Sequence, residues 1–93
     1  MAYVGRYRTE SGRYCFSWSF EEQSDGEVRI YIVSQPSYGG RSSGAHETHR
    51  YGLGSGRPWV CFEPPPSSRE DAIEVAKAWA ERTEQYILWG INF

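Results

Sequence analysis

The chain has 93 residues, 39% of them apolar and 24% charged, with a net charge of −2, which is material for one domain. Four Trp, seven Tyr and four Phe exclude a disordered chain, because disordered segments lack aromatic surface to bury. No apolar run approaches the ~20 residues of a membrane span, no secretory leader pattern opens the chain, and the basic surplus usual in nucleic-acid domains is missing.

Tyr3–Thr9 reads as a strand, followed by a short hairpin loop at Glu10-Ser11-Gly12. Arg13–Glu22 alternates more cleanly: Tyr14, Phe16, Trp18 and Phe20 point one way, Cys15, Ser17 and Ser19 the other. The Ser24-Asp25-Gly26 turn leads into Glu27–Ser34, where Val28, Ile30 and Ile32 oppose Arg29, Tyr31 and Val33. These two runs predict an antiparallel hairpin.

Segment 35–57 holds six of the ten glycines and reads as a flexible loop, or as one hiding a further strand over His46–Tyr51. Trp59–Glu63 follows as a short apolar strand, and Pro64-Pro65-Pro66 as a stiff connector. Ser67 and Glu70 have the spacing of a capping box, so a helix is expected from about Arg69 to Trp89, with Gly90 as its stop. At 100° per residue Ala72, Val75, Ala76, Trp79, Thr83, Tyr86 and Ile87 share one face of it. The predicted fold is α+β, a two-layer sandwich: an antiparallel meander of three to five strands with the C-terminal helix packed on one face, on Tyr14, Phe16, Trp18 and Phe20.

The catalytic and cofactor motifs are fragmentary. Gly40-Arg41-Ser42-Ser43-Gly44 fits G-x-S-x-G, but no helix is expected after it. Gly39 and Gly44 have Walker spacing without the lysine. His46 and His49 are three apart, not the four of a helical zinc motif, and would face opposite ways on a strand. Trp59-Val60-Cys61-Phe62 matches only the end of the RNP1 motif of RNA-binding sheets. Cys15 and Cys61 are too few for a disulfide framework and read as buried, reduced thiols. No cofactor and no metal are implied.

What remains is a binding surface. Tyr38, Arg41, His46, His49, Arg50, Tyr51 and Arg57 gather in the glycine-rich segment, and Arg and Tyr dominate interface hot spots. Three arginines against Glu47 give that segment a charge of +2, whereas three basic against five acidic residues give Arg69–Trp89 a charge of −2. The leading expectation is a cytoplasmic, non-catalytic adaptor that binds another protein through this loop, of a kind that accompanies bacteria, phages or mobile elements. On that reading the loop is dispensable for folding. A first alternative is a single-stranded nucleic-acid binder using sheet aromatics and loop arginines. A second is a minimal hydrolase using Cys61 or His49.

Overall fold

The alternation of apolar and polar residues decides the sheet. In the computed structural model, which describes residues 2–93, strand β2 (Cys15–Glu22) buries Phe16, Trp18 and Phe20 and turns Cys15, Ser17 and Ser19 outward. Strand β1 (Ala2–Arg8) pairs antiparallel to it, with Tyr3 opposite Phe20, Gly5 opposite Trp18 and Tyr7 opposite Phe16. Strand β3 (Val28–Ser34) pairs on the other side, with Val28 and Ile30 buried on the same face. Its register slips near Ser17, where Val33 is the extra residue and projects into solvent.

The meander runs through these three strands. The chain then passes to the far edge as β4 (Arg50–Tyr51) and returns as β5 (Trp59–Val60) between β4 and β3, giving the order β1-β2-β3-β5-β4 with every pair antiparallel. Helix α2 (Arg69–Trp89) covers one face. Ala72, Ala76 and Ala80 are fully buried along its inner stripe, and the absence of larger side chains there lets the helix lie close on the aromatic bed. Trp79 meets Phe16 edge to face at 5.6 Å. The structure is thus the two-layer α+β sandwich that the sequence predicts, with five strands.

Four details differ from expectation. The helix is capped by Ser68, not Ser67: the Ser68 hydroxyl accepts the Asp71 N–H at 3.1 Å, so the cap sits one residue later. The strand expected over His46–Tyr51 is only Arg50–Tyr51, because the Thr48 N–H and hydroxyl both bond the Gly44 carbonyl and close one helical turn, α1 (Ala45–Thr48). That turn also follows Gly40–Gly44, where no helix was expected. The strand expected over Trp59–Glu63 stops at Val60: Cys61 N–H bonds to His49, and Val28 N–H reaches past to Pro66, so the chain splays away from β3. Finally, Cys15 is exposed and Cys61 half-buried, since both lie off the core-facing register.

A polar knot pins the β1–β2 turn to the helix. Buried Glu84 accepts hydrogen bonds from the hydroxyls of Thr9 at 2.6 Å and Ser11 at 2.9 Å. Glu81 accepts from the Tyr7 phenol at 2.5 Å and from the Glu10 N–H at 2.9 Å. Its bond to the Glu81 carboxylate, with burial adding, pushes the Tyr7 phenol up to about 12. Because the folded value lies above the unfolded one, this bond stabilises fully below the ordinary phenol value of 10.0 and is lost as the pH climbs to about 12. Urea unfolding should therefore show the native chain more stable than Tyr7→Phe at pH 8, with the difference shrinking between pH 10 and 12. A difference independent of pH would refute the assigned bond.

Candidate functional site

The seven residues singled out in segment 35–57 separate into two groups. Tyr38 is buried, between the Arg50 guanidinium 5.0 Å from its ring centroid and the Tyr86 ring at 6.0 Å. Arg50 donates to the Thr48 hydroxyl and the Ser43 carbonyl, both at 2.8 Å. Arg41 donates to the Ile87 carbonyl at 2.9 Å. It thereby supplies the positive charge that the last turn of α2 lacks. Gly90 allows that approach, because its φ of 69° ends the helix and a Cβ there would meet the guanidinium at 2.7 Å. His49 stacks on Phe93 at 4.6 Å, and His46 stands exposed on α1. These five side chains hold the segment together or stand alone, and they form no common surface.

Tyr51 and Arg57 instead join the face of the sheet that α2 leaves open. Trp59 is at its centre. Tyr31 on β3 meets the indole edge-on at 5.8 Å, and Tyr51 on β4 meets it tilted at 5.8 Å. The Arg29 guanidinium lies over Trp59 at 4.2 Å, and that of Arg57 lies over Tyr31 at 3.9 Å. Arg29 also donates to the Tyr31 hydroxyl at 3.2 Å. The arrangement is fixed from below: Gly52, at φ 73°, lies so close to Trp59 that any Cβ would overlap the indole. Three rings and two stacked guanidinium groups thus run across β3, β5 and β4.

The charge on this face follows from the strand alternation. Arg6 and Arg8 are exposed on β1, opposite Ser17 and Cys15 of β2, and so share the open face with Arg29 and Arg57. Glu21 is the carboxylate among them, held below the usual carboxylate range by its bonds to Arg57 at 2.6 Å and to the Ser19 hydroxyl at 2.9 Å. Where β5 splays from β3, a cleft of about 320 Å³ opens beside Trp59, with Ile30 and Val60 in its lining and Tyr51, Glu27 and Glu63 among its polar residues. The Cys61 thiol and the Glu63 carboxylate beside its hydroxyl push the Tyr51 phenol up to about 12. No protein family, characterised protein or solved structure matches this chain.

A second cavity, of about 230 Å³, lies between α2 and the β4–β5 end, lined by His49, Cys61, Trp79, Arg82 and Phe93 among others. It brings His49 and Cys61 to one cavity, but no hydrogen bond joins them among the described residues, the imidazole being stacked on Phe93 and the thiol set beside Tyr51. Among the described residues no group of three His, Cys, Asp or Glu is placed to hold a metal ion. Among them, too, no helix is long and apolar enough to cross a membrane.

Sequence reasoning named Tyr51 and Arg57 and noted Tyr31, but missed Arg29, Trp59, Arg6 and Arg8. The signal for Arg29 was present, since it shares its parity with Tyr31, opposite the core residues Val28 and Ile30. Trp59 precedes buried Val60 and had to point outward by the same rule.

Proposed function

We propose that this chain is a non-catalytic binding module that takes single-stranded nucleic acid on the open face of its sheet. One observation carries the reading: the aromatic rings of Tyr31, Trp59 and Tyr51, on three adjacent strands, with Arg29 and Arg57 stacked over two of them. Aromatic rings, and guanidinium planes such as those stacked over Trp59 and Tyr31, are the surfaces on which unpaired bases stack without regard to sequence. Arg6 and Arg8 add cations within the same face for the phosphates. An acidic chain can carry such a site because charge is segregated: Arg69–Trp89, on the opposite layer, has five acidic against three basic residues. Cytoplasmic location and an accessory role in a bacterium, phage or mobile element belong to the same proposal. An adaptor binding protein through the loop is less well supported, since the Tyr38 ring is buried under Arg50, Arg50 bonds the Ser43 carbonyl and Arg41 bonds the helix end.

The test is fluorescence anisotropy with a labelled single-stranded 12-mer at 50 and 200 mM salt. If about three phosphates are neutralised, the affinity should fall between ten- and twentyfold, roughly, over that interval. The double variant Arg29→Ala, Arg57→Ala should lose most of the binding. Tighter binding of an acidic peptide than of the 12-mer would replace this reading with a protein partner.

A further inference from the structure

Resting on that reading, and extending it from affinity to base preference, we propose that the cleft beside Trp59 receives one base and selects guanine through Glu63. The cleft, at about 320 Å³, is in the size range of small-molecule sites. It arises because β5 leaves β3 after Val60, so its lining combines the apolar Ile30 and Val60 with the rings of Trp59 and Tyr51. The cleft adjoins the aromatic row, so a base bound in it lies beside Trp59 and Tyr51.

The polar groups at the cleft are asymmetric. Arg29 stands at the Trp59 side, where a phosphate or a base plane can meet it. Glu63 and Glu27 offer carboxylates at the cleft, and Glu63 Oε1 lies 3.5 Å from the Tyr51 hydroxyl, so that carboxylate stands beside the aromatic row. A carboxylate accepts only, so it rewards a base whose edge carries donors. Guanine presents two adjacent N–H donors, matching the two carboxylate oxygens. Cytosine and adenine present an amino group beside an acceptor. Thymine presents a single N–H between two carbonyls, which the carboxylate repels. The expected order is guanine, then cytosine and adenine, then thymine.

The experiment compares a labelled thymidine 8-mer with the same 8-mer carrying one central guanine, measured by anisotropy with the full chain. Guanine should strengthen binding about tenfold, the range of one good bidentate pair. In Glu63→Gln the preference should fall below twofold, because one acceptor becomes a donor. Glu63→Asp, which keeps the carboxylate on a shorter arm, should retain part of it. Equal affinity for both 8-mers overturns the base-selective cleft and leaves the stacking face intact. A guanine preference that survives Glu63→Gln overturns the role of Glu63. Binding of neither 8-mer overturns both this inference and the function on which it rests.

Discussion

Replacing Trp79 by alanine is expected to cost about 3–5 kcal/mol, the range for removing a large aromatic side chain from a packed core. Trp79 is 4% exposed, meets Phe16 edge to face at 5.6 Å, and donates its indole N–H to the Thr48 carbonyl at 3.1 Å. The side chain therefore couples three parts of the molecule: α2, the aromatic bed of β2, and the turn α1 in the glycine-rich segment. A domain of this size has a total stability of about 5–15 kcal/mol, so the loss is a large fraction of it. Trp79→Phe keeps much of the packing but leaves the Thr48 carbonyl without its donor, and should cost about 1–3 kcal/mol. Urea titrations of the two variants separate the packing and hydrogen-bond contributions. Near-native stability for Trp79→Ala would refute the two-layer core.

Shortening Ser37–Gly44 to a tight linker is the second large effect, and it reverses the expectation drawn from sequence. Glycine content alone reads as a dispensable loop. In the structure the deleted stretch contains buried Tyr38, the Arg41 side chain that bonds the Ile87 carbonyl at 2.9 Å, and the Ser42 carbonyl that accepts the Tyr86 phenol at 2.8 Å. Losing one buried aromatic and leaving a buried hydroxyl unpaired should together cost about 4–8 kcal/mol. Arg41→Ala alone removes only the helix-end charge and should cost about 0.3–1 kcal/mol. The comparison is made by thermal and urea unfolding. A shortened chain as stable as the native one would show that Ser37–Gly44 contributes nothing to the fold.

The sheet and the helix were legible because each rests on a period that burial enforces. β2 reads off its alternating aromatics, and α2 off its stripe of alanines ending at Gly90, and both agree with the structure to within two residues. The short elements were not legible. α1 is one turn closed by Thr48 on Gly44, and β4 and β5 are two residues each, too brief for any period to declare itself. The insertion of β5 between β3 and β4 likewise depends on tertiary pairing, since Tyr31 meets Trp59 across a sequence gap filled with turns.

The candidate site was harder for a related reason. Composition draws attention to where Arg and Tyr are dense, which is segment 35–57. What matters is on which face of the fold each of them is placed. Arg41 and Arg57 look alike in sequence. One closes the end of α2, while the other lies over Tyr31 on an exposed face. Arg57, though also paired with Glu21 at 2.6 Å, is the one that lies on the proposed binding face, and only the three-dimensional pairing distinguishes the two.

On the proposed function the open sheet face, and not the glycine-rich loop, meets the ligand. Amide chemical-shift mapping of the full chain during titration with a single-stranded 12-mer tests it most directly. The predicted result is that the perturbed amides cluster in β3, β5 and β4 around Tyr31, Trp59, Tyr51 and Arg57, with α2 unaffected on its outer side. Perturbations confined to Ser37–Gly44 and α1, or none at saturating oligonucleotide, would contradict the account.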